Sequence, residues 1–438
     1  MIWNENKECM SRDEMSALQG ARLVKIVDYV YHNVEFYRKK MQAIDLMPGD
    51  IKGIEDIEKL PFTTKDDLRD NYPFGLFAVP KSQIVRVHAS SGTTGKATVV
   101  GYTRHDLDIW SECVARCFTM AGVTKDDIIQ IGYGYGLFTG GLGAHNGAEK
   151  IGAMVVPMST GNSKKLITMM LDFNVTAIAC TPSYLLHIAE ILESENKIGD
   201  LKLRTAICGA EPWTEKMRLE IEQRLHITAH DIYGLSEVMG PGVACDCSFH
   251  KGLHVCEDHF YPEIVSSASL KQVPDGTTGE LVFTTLTKEG LPLIRYRTKD
   301  LTSIDKTPCE CGRTSARISR FKGRVDDMLI IRGVNVFPSQ VESALLEVKE
   351  LSPHYLMIVD RVNNLDTLEI QVELKDSFFT DEIKGLESLT NKVAHVINQS
   401  LGLNAKIKLV EPQTLLRNDG KTVHVIDKRK IYQENQGV

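Results

Sequence analysis

The sequence predicts an α/β fold, with a large N-terminal α/β domain that carries a β-rich subdomain and a small α+β domain at the C-terminus. Three observations predict it. Short apolar runs alternate with helical patterns through the first half of the chain. From about residue 240 turn-rich segments and short strands replace that alternation. A second change of pattern falls at 323–338, "GRVDDMLIIRGVNVFP". Strands alternating with helical stretches point to a largely parallel sheet covered by crossover helices.

The elements follow in order. A helix is expected over 13–43, where Leu18, Leu23, Ile26, Val27 and Val30 recur at three- and four-residue steps. In "LPFTTKDDL" Thr63 or Thr64 is placed to cap the next helix, ahead of Asp66 and Asp67. Strands are expected at 84–87, 128–131, 154–156 and 177–180, and helices at 104–121, 163–173 and 183–193. "GELVFT" at 279–284 reads as a strand of the β-rich region. A helix from Pro338, strands near 354–360 and 367–374, a helix near 381–401 and a strand near 406–410 complete the chain. The domain boundary is set between residues 325 and 326, giving domains of 1–325 and 326–438.

Bulk composition narrows the function. The 438 residues are 42% hydrophobic and 25% charged, an ordinary balance for a soluble protein. A net charge of -7 disfavours a nucleic-acid partner. No basic stretch followed by an apolar one opens the chain, and no apolar run is long enough for a membrane span, so a cytoplasmic location is expected. Ten cysteines in such a chain point to reduced thiols and a metal site rather than a disulfide framework.

"HASSGTTGK", residues 88–96, is too polar and too glycine-rich for a core element. A solvated turn is one reading. A Walker A loop is another, but Gly92 and Gly95 have only two residues between them and Ala97 follows Lys96. "DGKT" at 419–422 fails too, because Leu415 stands where the first glycine belongs. The third reading is a phosphate clamp of different geometry: hydroxyls and backbone N–H groups donate, glycines allow close approach, and Lys96 adds charge.

"SSGTTGK" resembles the phosphate loop of the adenylate-forming enzymes, the acyl-CoA synthetase superfamily. "GAEPW" at 209–213, "YGLSE" at 233–237, "RYRTKDL" at 295–301, "GRVDDMLIIRG" at 323–333 and "RNDGK" at 417–421 follow in that superfamily's order. "LPFTTKDDLRDNYPFGLF", "YGYGLFTGGLGAH", "CTPSYLL", "LSEVMGPGVA" and "RGVNVFPSQVE" resemble the phenylacetate–CoA ligase family in particular, over nearly the whole chain.

The resemblance implies roles. Ser90, Ser91, Gly92, Thr93, Thr94 and Lys96 would hold the β- and γ-phosphates of ATP, and Glu237 would bind Mg²⁺ through a hard oxygen. Asp300, assisted by Arg324, would accept from the ribose hydroxyls. Tyr233 and the turn Gly209, Ala210, Glu211 and Pro212 would line the adenine, with Asp231, Gly234 and Ser236 beside them. Lys421 would bridge the carboxylate and α-phosphate where charge builds up during adenylation. Asp326 would be the hinge of a mobile C-terminal domain, since the two half-reactions need different domain orientations.

Tyr133, Tyr135 and Phe138, with Gly140 and Gly141, are candidates for the wall of a flat acyl pocket; a loop packing its own aromatics is the alternative. No Gly-x-Gly-x-x-Gly fingerprint forms there. Two positions depart from the family pattern: Asn146 replaces a tyrosine after the histidine, and Ala97 a proline after Lys96. Among the clustered cysteines and histidines, Cys247, His254, Cys309 and Cys311 are chosen as ligands of a structural Zn²⁺ that staples two β-rich segments, with Cys245, His250 and Cys256 as alternatives.

The expected activity is ATP-dependent ligation of an aryl acetate to coenzyme A through an acyl-adenylate, releasing AMP and pyrophosphate. An enzyme that loads a carrier protein, or one acting on a hydroxyaryl, heteroaryl or benzoate-type acid, stays open. The expected partners are the carboxylic acid, ATP and coenzyme A, with a homodimer as a further expectation.

Overall fold

A computed structural model describes residues 1–90, 97–325, 327–332, 334–362, 365–375, 378, 383–416 and 423–429. Of the residues given roles above, Ser91, Gly92, Thr93, Thr94, Lys96, Asp326 and Lys421 lie outside the described residues.

The expected N-terminal helix is two helices. Arg12–Asn33 starts with a capping box between Ser11 and Glu14, and Glu35–Gln42 follows. They part at Val34, a fully buried residue in the extended region at φ -122°, ψ 107°. A β-branched side chain tolerates that conformation well. The 3.6-residue pattern continues across the break, so periodicity alone runs the two together. Thr64, not Thr63, caps the next helix, Lys65–Asp70, through the backbone N–H of Asp67.

Among the described residues the main sheet has nine strands. Met154–Val156, Ile128–Ile131, Ala177–Cys180, Thr205–Gly209 and Thr228–Leu235 run parallel, as the alternation predicts. Gly240–Asp246, Leu253–Val255, Arg317–Ile318 and Ile304–Asp305 extend it antiparallel. Arg104–Met120, Thr139–Ile151, Ser163–Asp172 and Pro182–Ser194 form the helices between the first strands. Ala177–Cys180 and Thr205–Gly209, in the middle of the parallel run, are buried along their whole length, the pattern of strands covered on both faces.

A second sheet of Phe260–Val265, Gly279–Thr285, Tyr296–Thr302 and Gly323–Arg324 is antiparallel throughout. It forms the β-rich region. Thr63 joins its side: the Thr63 N–H donates to Arg295 O at 3.1 Å and the Arg297 N–H to Thr63 O at 2.9 Å. The N-terminal segment is thereby fixed beside the strand that carries Asp300.

A two-stranded hairpin completes this part. Arg86–Ala89 pairs with Val99–Tyr102, two residues later than the 84–87 expected, with Ala89 opposite Val99. These two strands flank the hydroxyl-rich stretch in sequence, and the Ser90 N–H donates to Thr98 O at 3.0 Å just beyond their last pair.

The C-terminal elements match the sequence reading closely. Leu351–Val362, Leu365–Leu374, Lys406–Val410 and Val425–Asp427 form one sheet, with helices Pro338–Leu345 and Ile383–Leu401. Their apolar side chains make a separate core running from Leu329 to Ile407. This unit docks on the large one through polar contacts. The Thr214 N–H donates to Glu342 at 3.2 Å, Lys216 to Ser343 O at 2.8 Å, and His354 Nε2 lies 2.9 Å from Glu190. No helix among the described residues is long and apolar enough to cross a membrane.

Candidate active site

The C-terminal ends of the parallel strands, where ligands collect in open α/β sheets, open onto a cavity of about 220 Å³. Ala210, Glu211 and Pro212 line it from the turn after Thr205–Gly209, and Asp231, Tyr233 and Gly234 from the next strand. Asp300 and Arg324 close it from the second sheet, and Phe321 from the segment leading into that sheet's last strand. Residues assigned to one nucleotide from four separate motifs thus share one cavity.

Its backbone is unusual in two places. Ala210 lies in the left-handed region at φ 74°, a strained conformation for a residue with a Cβ. The turn is tied down beside it, where Glu211 accepts from the Ser183 N–H at 2.8 Å. Gly234 has no room for a side chain: a Cβ there would stand 1.8 Å from Gly240 O.

Electrostatics differ round the wall. Asp300 accepts from the Tyr233 hydroxyl at 2.6 Å and from Arg324 at 3.0 Å. The Tyr233 ring packs on Phe321, with centroids 4.4 Å apart. Burial, with the Asp300 charge beside it, pushes the Tyr233 hydroxyl well up, so it stays a donor. Burial raises the Asp231 carboxyl to about 7, although Arg320 at 3.7 Å works against that.

Behind Asp231 lies a polar network that the sequence did not reveal. Asp246 accepts from the Asp231 N–H at 2.9 Å, faces His230 and His250 Nδ1 at 3.2 and 2.8 Å, and lies 3.6 Å from Arg320. The Arg320 guanidinium lies over the Trp213 ring. These residues come from four segments, 213, 230–231, 246–250 and 320, which no local spacing links.

Glu237 sits deeper and is nearly buried. Its Oε1 accepts from Thr98 Oγ1 at 3.2 Å and pairs with Lys65 Nζ at 3.6 Å. Thr98 Oγ1 is 2.5 Å from Ser90 Oγ. Glu237 therefore stands at the foot of the hydroxyl-rich loop. Lys288 is bonded to the Glu237 and Val238 carbonyls, and burial pushes its ammonium down to about 8. The Ser236 hydroxyl lies 2.9 Å from Thr139 Oγ1. Thr98, Lys65 and Lys288 were not singled out in the sequence; only "PFTTK" carried a signal.

The aromatic segment is less uniform than expected. Tyr133 is buried and donates to Ile207 O at 3.4 Å. Tyr135 is half-buried with its hydroxyl 3.0 Å from His145 Nδ1, whereas Phe138 is 54% exposed. Gly140 and Gly141 form the first turn of Thr139–Ile151; Gly140 packs on the Tyr133 ring, and a Cβ at Gly141 would meet Gly134 O at 2.6 Å. Asn146 lies on the same helix, next to His145.

Cys247, His254, Cys309 and Cys311 come together with their ligand atoms all within 4.8 Å of one another. Cys247 Sγ is 3.8 Å from Cys309 Sγ, and Cys311 Sγ is 3.5 Å from His254 Nε2. A tetrahedron with ordinary zinc–sulfur and zinc–nitrogen bonds has edges of about 3.8 and 3.5 Å, so the four can hold such an ion. Ser315 Oγ lies 3.0 Å from His254 Nδ1 and fixes the ring with Nε2 inward. Proton sharing with Cys247 and a bond to His254 drive the Cys311 thiol down to about 2, and Cys247 up. The alternatives lie elsewhere: Cys245 and Cys256 bond to main-chain carbonyls and His250 faces Asp246.

Comparison with known proteins agrees with this geometry. The AMP-binding enzyme family model matches residues 47–286, and the AMP-binding enzyme C-terminal domain matches 333–429. The phenylacetate-coenzyme A ligase of Escherichia coli is 50% identical over 427 residues, 97% of either chain. That of Thermus thermophilus is 45% identical, covering 98% of this chain and 100% of its own. A solved 2-hydroxyisobutyryl-CoA ligase, 28% identical, superposes in its postadenylation state with a TM-score of 0.92 over 98% of this chain and 93% of that one. In its thioesterification state the same ligase gives 0.72, over 98% and 94%. The arrangement of this chain as a whole is nearer the postadenylation one.

Proposed function

We propose, from the premise that this chain belongs to the phenylacetate–coenzyme A ligase family of AMP-binding enzymes, that it converts phenylacetate and coenzyme A to phenylacetyl-CoA with cleavage of ATP to AMP and pyrophosphate. The observation that carries this reading is the shared cavity, lined together by residues from the separate motifs to which the resemblance gives adenine and ribose.

A carboxylate is a poor acyl donor because oxide is its leaving group. In the first half-reaction a carboxylate oxygen bonds to the α-phosphorus, and the bond from that phosphorus to the β-bridging oxygen breaks. The electron pair leaves with pyrophosphate. In the second, the coenzyme A sulfur bonds to the acyl carbon, AMP departs with the acyl oxygen's electron pair, and the thiol proton is released.

Each residue's part follows. Tyr233 and the turn Gly209–Pro212 hold adenine, Asp231 and Gly234 shape its edge, and Asp300 with Arg324 takes the ribose hydroxyls. Ser90, with the loop Ser91, Gly92, Thr93, Thr94 and Lys96, receives the β- and γ-phosphates. Ser236 buttresses Thr139 at the acyl end, beside the glycine and tyrosine segment. Glu237 is the ligand for Mg²⁺, which when bound neutralises phosphate charge. Lys421 neutralises charge at the α-phosphate, carried in by residues 326–438 turning about Asp326 against residues 1–325. Cys247, His254, Cys309 and Cys311 hold a structural Zn²⁺; four protein ligands leave no place on it for substrate.

The test is product analysis with phenylacetate, ATP, Mg²⁺ and coenzyme A. AMP and thioester formed in equal amounts support the reading; ADP, or AMP formation indifferent to the acid, contradicts it. Transfer to a carrier protein but not to free coenzyme A would move the enzyme to another class of acyl acceptor.

A further inference from the structure

We propose that Lys65 is a phosphate-binding residue of this enzyme, delivered by the N-terminal segment to the terminal phosphates of ATP and to the departing pyrophosphate. The inference rests on the acyl-adenylate reading above and goes beyond it.

The position is built, not incidental. Thr63 is fully buried and bonded on both sides to the strand edge at Arg295 and Arg297, and its hydroxyl donates to Ile294 O at 2.7 Å. Thr64 caps the helix that Lys65 begins; its N–H donates to Asp67 Oδ2 at 2.8 Å, and Lys40 holds that same oxygen at 2.9 Å. Two consecutive anchors therefore fix the main chain from which the Lys65 side chain projects.

The direction of that projection is informative. Lys65 Nζ lies 3.6 Å from the Glu237 oxygen to which Thr98 also donates, and Thr98 contacts Ser90. Ser90 and Thr98 bracket the hydroxyl-rich stretch in sequence, so the ammonium stands close to where that stretch leaves and rejoins the described chain. The Lys65 side chain is 39% exposed and that of Glu237 only 7%, so Lys65 reaches in from the solvent side, where a triphosphate tail would lie.

Charge then assigns the role. Lys288 is committed to the Glu237 and Val238 carbonyls and to the Tyr102 ring 4.9 Å away. Among the described residues Lys65 makes the one ion pair with Glu237. A cation bound by Glu237 repels the ammonium from that carboxylate and leaves it to pair with another anion. The nearest place for one is the polyphosphate. There the ammonium donates hydrogen bonds to the phosphate oxygens and transfers no proton.

Lys65→Met, which keeps the helix and the length of the side chain, tests this against Lys65→Arg. Calorimetric titration with magnesium pyrophosphate, without acid or coenzyme A, is the first readout. The affinity is expected to fall about tenfold in Lys65→Met and to return to within about threefold in Lys65→Arg. In phenylacetate-dependent ATP–pyrophosphate exchange the KM for pyrophosphate should rise with it, while the KM for phenylacetate and the melting temperature hold. Unaltered pyrophosphate affinity in Lys65→Met overturns the proposal, as does an equal rise in both KM values, which marks a merely structural role. Lys65→Gln is read the same way should Lys65→Met fail to fold. If the unaltered enzyme binds pyrophosphate through Lys65 but performs no acid-dependent exchange, the functional reading falls and the Lys65 assignment stands.

Discussion

Tyr233 and Asp300 are 67 residues apart in sequence, yet the tyrosine hydroxyl donates to the carboxylate at 2.6 Å on the wall of the cavity. The bond joins strand Thr228–Leu235 of the main sheet to strand Tyr296–Thr302 of the second sheet. It leaves the Asp300 carboxyl group held between Tyr233 and Arg324.

Asp300→Ala is therefore expected to raise the KM for ATP about 10- to 100-fold, the range for losing a hydrogen bond to a charged acceptor. Tyr233→Phe should raise it less, by about threefold, because Arg324 still orients the carboxylate. An interaction made equally in the ground and transition states leaves kcat unaltered, so steady-state kinetics at saturating acid separates the two effects.

The cysteine–histidine site makes a compositional prediction. Purified enzyme should carry one zinc per chain. Cys309→Ser should abolish it and lower the melting temperature, because a metal ligated only in the folded state adds its binding free energy to folding. Metal analysis beside thermal denaturation checks both, and zinc absent from the unaltered enzyme would remove the site.

Glu342 predicts a pH dependence. It lies on the helix that docks against Thr214, where burial raises its carboxyl from 4.5 to about 7 and the Thr214 N–H only partly offsets this. Glu211 faces it as a like charge, and Tyr355 lies nearby. Between those two pH values the folded chain binds more protons at Glu342 than the unfolded chain. The stability is thus fully present below pH 4.5 and is lost as pH rises through about 7. Glu342→Gln should remove about 3 kcal/mol of the difference in unfolding free energy between pH 4.5 and 8. Urea denaturation of both proteins at several pH values measures it.

Much of this was legible in the sequence, for identifiable reasons. The parallel strands are short, continuous apolar runs between amphipathic stretches, so 128–131, 154–156 and 177–180 fall where expected. The Cys-x-Cys pair and His254 were legible because metal-ligating side chains are rare and clustered. The break at Val34 was not, because buried positions keep the helical period on both sides of it. The hairpin began two residues late because Val85 and Val87 are apolar but exposed. Arg320, Asp246 and Phe321 were missed because their roles arise from long-range approach, which no local spacing encodes. Lys65 looked like an ordinary lysine in a helical first turn until the fold set it beside Glu237.

Adenylation itself is tested most directly by phenylacetate-dependent ATP–pyrophosphate exchange in the absence of coenzyme A, measured for the unaltered enzyme and for Lys421→Ala. Exchange that requires the acid, and falls at least about 100-fold in the variant, is the predicted result, since one charge-stabilising group at a developing anion contributes about 2.7–4 kcal/mol. Exchange that proceeds without the acid, or at an undiminished rate once Lys421 is neutralised, would contradict the account.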